Sequence, residues 1–348
     1  IDAGLFGMAL YYFISMGTNS AMMIRQTMQL DVNLQSAQRI MDYTETQQEA
    51  PSEMYNDAAV VKEHGGVWPS KGEISFQNVF LRYEGTKRYA LNGLDFTAQP
   101  GSKIGIVGRT GAGKSTLLQA LFRMVEIEEI PGSQIRVDGV HIKRIGLEML
   151  RKNICIIPQT PIIFSGTIRR NLDPFNEVAD AKLWEILEEV NLKPYIERLE
   201  KKLDTDITVS SSIFSAGQKQ LVCLARVLLR KSKILVLDEA TANVDIETDE
   251  FIQKKIKEKF SDATILCIAH RLTTIADYDK VMVLEKGRIE EFDHPYKLLV
   301  KNPGDNYISN KQGMFARMVI KNGDKIANKI FEIAKDSYQQ AKKNGTIY

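Results

Sequence analysis

A glycine-rich segment followed by lysine and serine constrains this chain more than any other feature. Residues 108–115 read Gly-Arg-Thr-Gly-Ala-Gly-Lys-Ser, follow the apolar run 104–107 and precede a helical pattern. The glycines let successive backbone N–H groups point at one anion, and the positive end of the following helix adds to that attraction. The segment therefore predicts a strand, a phosphate-binding loop (P-loop) and a helix within an α/β domain.

The residues of this loop have distinct expected roles toward ATP. Lys114 can reach the β- and γ-phosphates, and the Ser115 hydroxyl can ligate Mg²⁺. We expect ATP and Mg²⁺ as ligands. The predicted nucleotide-binding residues of the loop and its helix are Gly108, Thr110, Gly111, Ala112, Gly113, Lys114, Ser115 and Thr116.

Two acids follow a second apolar run. Residues 234–237 read Ile-Leu-Val-Leu and lead directly into Asp238 and Glu239. Ligands of open α/β sheets bind at the carboxyl ends of the strands, so both carboxylates are expected beside the P-loop. Asp238 is predicted to hold Mg²⁺, and Glu239 to act as the general base toward the attacking water.

Short apolar runs alternate with helical patterns over most of the chain. This alternation predicts an α/β domain with a mainly parallel sheet. The predicted strands are residues 74–76, 103–107, 154–157, 234–237, 264–268 and 280–284, and the predicted helices include 114–122, 183–190, 216–229 and 247–260. The end, residues 321–348, carries six lysines and three acids and predicts a solvated amphipathic helix with Ile326, Ile330, Ile333 and Ala334 at helical spacing.

The first segment differs from the rest. Residues 3–23 carry no charge and are rich in apolar side chains. Because about 20 helical residues span a bilayer core, we predict a transmembrane helix there, with a buried soluble helix as the alternative. Ser15, Thr18, Asn19 and Ser20 favour packing within a bundle. Residues 51–71 lack periodicity and contain two prolines and two of the glycines, which predicts a linker.

Composition excludes some classes of protein. With 44% hydrophobic and 26% charged residues the chain is globular, and a net charge of +2 gives no indication of nucleic-acid binding. Cys155, Cys223 and Cys267 lie far apart in apolar runs. That spacing fits neither a zinc site nor a redox pair and predicts buried thiols.

Further motifs occur in a fixed order around the P-loop and the acid pair. They are Tyr83, Gln159 within Ile-Pro-Gln-Thr-Pro, Phe214-Ser-Ala-Gly-Gln218, Ala242-Asn-Val-Asp245 and His270. With them the chain resembles the ATP-binding-cassette (ABC) family. The resemblance implies an ABC-type ATPase domain with a mainly parallel core sheet, an antiparallel β subdomain and an α-helical signature subdomain, preceded by the predicted transmembrane helix.

The resemblance also implies roles for these residues. Tyr83 would stack on adenine, Gln159 would reach Mg²⁺ and couple to a membrane domain, and His270 would contact the γ-phosphate. Ser215, Gly217 and Gln218 would grip nucleotide held by a second cassette, placed in the same full-length chain, so that two cassettes enclose two ATP molecules. The predicted catalytic set is Glu239, His270, Lys114 and Gln159, with Ser115, Gln159 and Asp238 on the metal.

Finer detail is similar to the second cassette of the C subfamily, the group of the multidrug-resistance-associated proteins. The similarity lies in residues 108–115, 164–168, 171–175, 221–226 and 228–231. Two features depart from that group: Phe214 replaces the usual leucine, and residues 210–213 replace a Gly-Gly-Glu-Asn-like run. In that group the second signature completes the weakly hydrolysing site. We therefore expect this chain's own site to be the competent one.

These inferences give a domain plan and a function. Residues 1–50 are predicted to end a transmembrane domain, 51–72 to form the linker, 73–303 the nucleotide-binding domain and 304–348 a helical tail. The expected function is ATP-driven export of a substrate of unspecified class by an integral membrane protein with a cytoplasmic ATPase domain. The alternatives are a nucleotide-gated channel or channel regulator of the same subfamily, and a soluble ABC ATPase acting on DNA or ribosomes, which residues 3–23 and the near-neutral charge disfavour.

Overall fold

The computed structural model describes residues 2–46, 48–207, 213–240, 244–269, 271–302, 304–343 and 345. The chain divides into two compact units, Ile1–Ala50 and Pro51–Tyr348. The first unit is built on one helix, α1 (Ala3–Thr44), whose start is capped by the Asp2 carboxylate accepting the Gly4 N–H at 3.3 Å. The domain limits at residues 51, 73 and 304 stay predictions.

The sequence-predicted membrane span is not found in α1. Within the described residues, no helix combines the length and the apolar character that crossing a membrane requires. The helix is long enough, but Tyr11, Tyr12, Thr18 and Asn19 fall in its most apolar stretch and lower the mean hydropathy there. The prediction for residues 3–23 relied on the absence of charge and did not include the polar character of these side chains.

The second unit is an α/β structure. Its strands are β1 (Ile74–Leu81), β2 (Leu91–Ala98), β3 (Lys103–Gly108), β4 (Gln134–Val137), β5 (Val140–His141), β6 (Ile154–Ile157), β7 (Gly166–Thr167), β8 (Asp206–Ile207), β9 (Ile234–Asp238), β10 (Thr264–Ile268), β11 (Lys280–Glu285) and β12 (Arg288–Asp293). Its helices are α2 (Asp57–Glu63), α3 (Lys114–Leu121), α4 (Leu147–Asn153), α5 (Ile168–Leu172), α6 (Asp180–Glu189), α7 (Lys193–Glu197), α8 (Ala216–Arg230), α9 (Ile246–Lys259), α10 (Pro295–Leu299), α11 (Met314–Lys321) and α12 (Asp324–Lys343).

The central sheet has six strands in the order β12-β11-β3-β10-β9-β6. Every neighbouring pair is parallel except β11 and β12, which confirms the predicted mainly parallel core. β10 is buried along its whole length and β9 up to its last residue. Strands covered on both faces tolerate continuous apolar runs, which explains why these two were readable from the sequence.

Two smaller layers flank the central sheet. An antiparallel sheet of order β2-β1-β4-β5 is the predicted β subdomain, and Phe76 of β1 stacks on Phe96 of β2 with ring centroids 4.7 Å apart. Helices α5, α6 and α7, the β7–β8 pair and α8 bury their apolar faces in one cluster around Leu187 and Leu224. This cluster corresponds to the predicted helical subdomain.

The C-terminal helix is amphipathic, as predicted, but it is solvated on one face only. Ile330 and Ala334 of α12 are fully buried, together with Ala327, while Ile326 is 44% exposed. These buried residues share one apolar cluster with Phe315 of α11 and with the central sheet. The excess of lysines over acids in residues 321–348 predicts a solvated helix, but it does not indicate that one face packs against the domain.

The three cysteines are free and buried, as predicted from their apolar surroundings. Burial raises the pKa of all three thiols, that of Cys267 to about 12. Such thiols stay protonated at neutral pH and are poor nucleophiles.

Candidate functional site

The P-loop connects β3 to α3 through glycines that no other residue could replace. Gly113 has φ +106°, and a Cβ there would lie 2.6 Å from the Ala90 carbonyl oxygen. A Cβ at Gly108 would lie 2.4 Å from the Leu284 carbonyl oxygen. The loop therefore packs against neighbouring backbone at both ends, and only glycine fits those two positions.

Lys114 folds back over the loop that precedes it. Its Nζ donates to the carbonyl oxygens of Gly108 at 2.9 Å and Arg109 at 3.3 Å. The backbone N–H groups of Gly111, Gly113 and Ser115 donate to no acceptor in the described part of the chain. One ammonium group and several free N–H groups thus converge on one concave surface, which is the arrangement that binds a phosphate chain.

Tyr83 lies just past β1 and is tied to the first turns of α3. Its hydroxyl is 3.1 Å from the Thr116 hydroxyl and donates to Gln119 Oε1. The side chain is 37% exposed, so part of it is accessible to a ligand. Gln119 was not predicted as part of the site. It stands almost one turn after Thr116, and this spacing on a P-loop helix was the available signal.

The sheet register brings the other predicted groups to the same edge. Ile268 at the end of β10 pairs with Ile106 of β3 on one side and with Asp238 of β9 on the other. Ile157 of β6 pairs with Leu237, so Gln159 follows the next strand along. The P-loop, the acid pair and Gln159 therefore all emerge at the carboxyl edge of the sheet, where ligands of this architecture bind.

Glu239 is held by two contacts. Gln159 Nε2 donates to its Oε2 at 2.8 Å, and the Glu239 N–H donates to the Ile268 carbonyl at 3.1 Å. Its φ of +46° lies in the left-handed region, which is sparsely populated by residues other than glycine. The carboxylate is thus held by Gln159, whose amide oxygen has no hydrogen-bond partner in the part of the chain that the structure describes.

The surroundings of Asp238 disfavour its ionised carboxylate, and a bound cation would offset this effect. Burial and the neighbouring Glu239 charge raise the pKa of its carboxyl, and Lys114 partly opposes this. Ser115 Oγ, Gln159 Oε1 and the Asp238 oxygens are hard donors that suit Mg²⁺. Among the described residues no group of three or more His, Cys, Asp or Glu could hold a metal. The donor set fits a cation that also binds water and substrate phosphates, as Mg²⁺ does.

The signature segment lies at the start of α8. Ser215 Oγ accepts the Gln218 N–H at 3.2 Å, and Gln218 Oε1 accepts the Ser215 N–H at 2.9 Å, which forms a capping box. Phe214 is buried, with its ring 5.8 Å from that of Tyr195, so it replaces leucine as a core residue. Within the described ranges, no hydrogen bond joins Ser215, Gly217 or Gln218 to the P-loop or the acid pair.

Comparison with known proteins identifies this arrangement. The ABC transporter family profile matches residues 91–242. Human ATP-binding cassette sub-family C member 4 is 46% identical over 338 residues, which are 97% of this chain and 24% of that protein. The chain carries an ABC transporter domain.

Other relatives agree. A pleiotropic ABC efflux transporter of multiple drugs from Candida glabrata is 39% identical, over 97% of this chain and 20% of its own length. A bacterial Atm1-family ABC exporter solved with ATP bound superposes with a TM-score of 0.70 at 29% identity, covering 83% of this chain and 47% of that one. The chain thus spans between about a fifth and a quarter of the length of these curated relatives. The predicted similarity to the C subfamily is confirmed.

The motifs that suggested the C subfamily form one polar network in this ABC domain. Arg226 of α8 donates to the carbonyl oxygens of Asn171 and Ile162, both at 2.6 Å, and its guanidinium lies 5.5 Å from the Phe164 ring centroid. Asn171 Oδ1 also accepts the Phe164 N–H at 2.8 Å. Burial lowers the pKa of Arg226. This network fixes the segment that follows Gln159 against the signature helix.

Some predicted residues lie outside the described ranges. They are His270, residues 210–212 of the departure before Phe214, and residues 241–243 of the loop after Glu239. The described end of that loop is Asp245, whose Oδ2 accepts the Thr248 N–H at 2.9 Å and caps α9. An added Cβ at Gly217 would lie 3.6 Å from Asp245 Oδ1, so this loop reaches the signature helix.

Proposed function

We propose that this ABC domain binds and hydrolyses ATP to drive export by a longer transporter. The observation that carries the proposal is the 2.8 Å contact between Gln159 and Glu239 at the sheet edge that also holds the P-loop. It places a carboxylate that can accept a proton beside a side chain that can also reach a metal. A phosphate-binding loop that only bound nucleotide would not need that carboxylate.

Each residue has a role that its position supports. Lys114 and the free N–H groups of the loop hold the phosphates, and Tyr83 offers a ring face to adenine. Glu239 accepts the proton of the attacking water, and Gln159 keeps its carboxylate in place. Mg²⁺, when held by Ser115, Gln159 and Asp238, supplies positive charge at the β- and γ-phosphates. His270 is proposed to contact the γ-phosphate.

The partner of this domain is proposed to be a second ABC nucleotide-binding domain. Ser215 Oγ accepts a hydrogen bond within its own helix, so its hydroxyl hydrogen is free to be donated to a phosphate. The start of the 15-residue helix α8 adds positive character. Because nothing described joins this segment to the chain's own P-loop, Ser215, Gly217 and Gln218 are proposed to complete the partner's ATP site.

The whole protein is proposed to be an exporter with transmembrane domains and a cytoplasmic ATPase domain. Support comes from the relatives, of which one is described as an efflux transporter of multiple drugs and another as a bacterial exporter. The transported substrate is not specified by this domain, since its ATP-site residues contact nucleotide.

A vesicle experiment tests export directly. The full-length protein in inside-out vesicles is given a panel of radiolabelled drugs with ATP or with a non-hydrolysable ATP analogue. We expect uptake of at least one compound with ATP only, and none for the Lys114→Ala variant. A nucleotide-gated current without uptake would overturn export and favour the channel alternative.

A further inference from the structure

A second cavity lies at the opposite edge of the central sheet from the ATP site. It has a volume of about 330 Å³ and is bounded by the segment before β1, the end of α4 and the turn from α8 into β9. The turn is at the amino-terminal end of the sheet, because the Thr264 N–H that begins β10 donates to the Lys233 carbonyl at 2.9 Å. None of the residues assigned to ATP lines this cavity.

Four cationic side chains line the cavity and no carboxylate does. They are Lys152, Arg230, Lys231 and Lys233. Lys152 has one partner, Glu177, at 3.7 Å, and the other three form no ion pair within the described ranges. The carboxyl end of α8 offers only about half a negative charge, which is too little to balance three cations. The cavity therefore has an excess of positive charge.

A neighbouring cavity shows that this excess is local. It shares Lys231 and Lys233 but also contains carboxylates. There Lys182 pairs with Glu185 at 2.7 Å and Lys259 with Glu189 at 2.8 Å. The described structure thus pairs Lys182 and Lys259 with carboxylates, whereas Arg230 and Lys233, which line the 330 Å³ cavity, form no ion pair within the described ranges.

Trp68 also lines the cavity. The residue is 2% exposed, and its Nε1–H is buried and has no partner in the described structure. The Ser232 hydroxyl, which belongs to the same lining, already donates to backbone carbonyl oxygens and accepts the Ile234 N–H at 3.1 Å, so it is not free to bind a ligand.

We propose that this cavity binds the phosphate group of a small organic molecule. Lysine and arginine side chains supply charge-assisted hydrogen bonds to the phosphate oxygens, and Trp68 lies in the wall of the same cavity. Val67 and Pro69 form an apolar wall beside these donors, which suits an organic body attached to the phosphate. The site goes beyond the proposed ATP chemistry and uses none of its residues.

The two tryptophans of the chain give a direct test. Trp184 is replaced by phenylalanine in the full chain, so that fluorescence reports on Trp68 alone. The ATP site is weakened by Lys114→Ala and no nucleotide is added, and phenyl phosphate, inorganic phosphate and phenol are titrated separately. We expect a saturable change with both phosphates, tighter binding of phenyl phosphate, and no response to phenol.

Matched variants separate this site from general charge. Arg230→Gln together with Lys233→Gln should weaken phenyl phosphate binding at least about tenfold, because two charge-assisted hydrogen bonds are lost. Lys182→Gln, on the neutralised neighbouring cavity, should leave it unchanged. Unchanged circular dichroism and an unchanged thermal unfolding midpoint show that each variant is folded.

Three results would overturn the inference or part of it. Absence of a saturable response at millimolar phosphate, or binding by the double variant equal to that of the parent, would show that the cavity is not a phosphate site. Equal affinity for phenyl phosphate and inorganic phosphate would remove the apolar wall from the proposal.

Discussion

The ATP-site edge of the sheet and the signature segment differ in how their polar groups are arranged. At the edge, groups from β3, β6 and β9 meet, and Gln159 contacts Glu239 across 80 positions of sequence. At the signature, Ser215 and Gln218 contact each other within one helical turn. The first arrangement exists only in the folded domain, whereas the second is complete as a helix start.

This difference indicates what each region does for the chain. The edge carries Lys114, Glu239 with its positive φ, and Asp238 with its raised pKa. A bound cation would offset the charge of the carboxylates, and a bound phosphate chain would offset that of the lysine. In the signature segment, Ser215 and Gln218 already form hydrogen bonds with each other at the start of α8. Substitutions at the edge should therefore change ATP chemistry in this chain, while substitutions at the signature should change stability here and function only beside a partner.

The largest effect on binding is expected for Lys114→Ala. The variant loses the ammonium group that caps the P-loop carbonyls and faces the phosphates. ATP affinity should fall roughly 10- to 100-fold, since charge-assisted hydrogen bonds contribute about 1.5–3 kcal/mol. Calorimetric titration measures this, with Lys103→Ala, at the start of the strand β3 that leads into the P-loop, as a control. Unchanged affinity would remove Lys114 from the site.

Tyr83→Ala should have a smaller effect on the same measurement. Stacking of a base on an aromatic ring is worth about 1–3 kcal/mol, and the lower end, roughly a fivefold loss of affinity, suits a ring that is 37% exposed. Tyr83→Phe keeps the ring but loses the hydrogen bond to Thr116, so its loss should be smaller. If both variants bind equally weakly, the hydroxyl contact and not stacking is what matters.

Asp238→Asn should stabilise the nucleotide-free domain while it weakens metal-dependent ATP binding. Burial and the charge of Glu239 raise the pKa of Asp238 in the folded state. The protonated carboxyl therefore contributes stability to the fold below the ordinary carboxyl pKa, and this contribution is lost as the pH rises through the folded-state pKa. At pH 7 the neutral amide should therefore raise Tm by about 1–3 °C. The difference should vanish when acid protonates Asp238. A difference that does not change with pH would contradict this cause.

Ser215→Ala is expected to have the smallest effect and sharpens the comparison. It removes the capping box, which should cost about 1 kcal/mol of stability in thermal unfolding. ATP affinity of this chain alone should not change. In the full-length protein, the variant should slow hydrolysis at the partner's site. Weaker ATP binding by the isolated chain would show that the signature belongs to its own site.

Sequence patterns located most of the strands of the central sheet, whereas the roles of the predicted ATP-site residues stay predictions. The predicted strands 154–157 and 264–268 coincide with β6 and β10, because continuous apolar runs are distinctive of buried parallel strands. β2 and β12 were missed, since each lies at the edge of its sheet and alternates exposed with covered residues. Strand order, which brings Gln159 to Glu239, is not encoded in any local pattern.

Local patterns were less reliable where a segment was assigned from one property of its side chains alone. Residues 3–23 were read as a membrane span from their lack of charge, although tyrosine and amide side chains lower their hydropathy. The cationic lining of the cavity beside Trp68 was not visible either. Lys152 and Lys233 are far apart in sequence, and whether a lysine has a partner depends on neighbours that only the fold supplies.

Hydrolysis by a Glu239→Gln variant of the full-length protein tests the central claim most directly. The amide cannot accept the proton of the attacking water, so hydrolysis should fall at least about 100-fold while ATP binding persists. Glu250→Gln, on the exposed side of α9, is the matched control and should hydrolyse at the parental rate. Parental hydrolysis by the Glu239→Gln variant would contradict the role assigned to Glu239 and the account of this edge as the catalytic site.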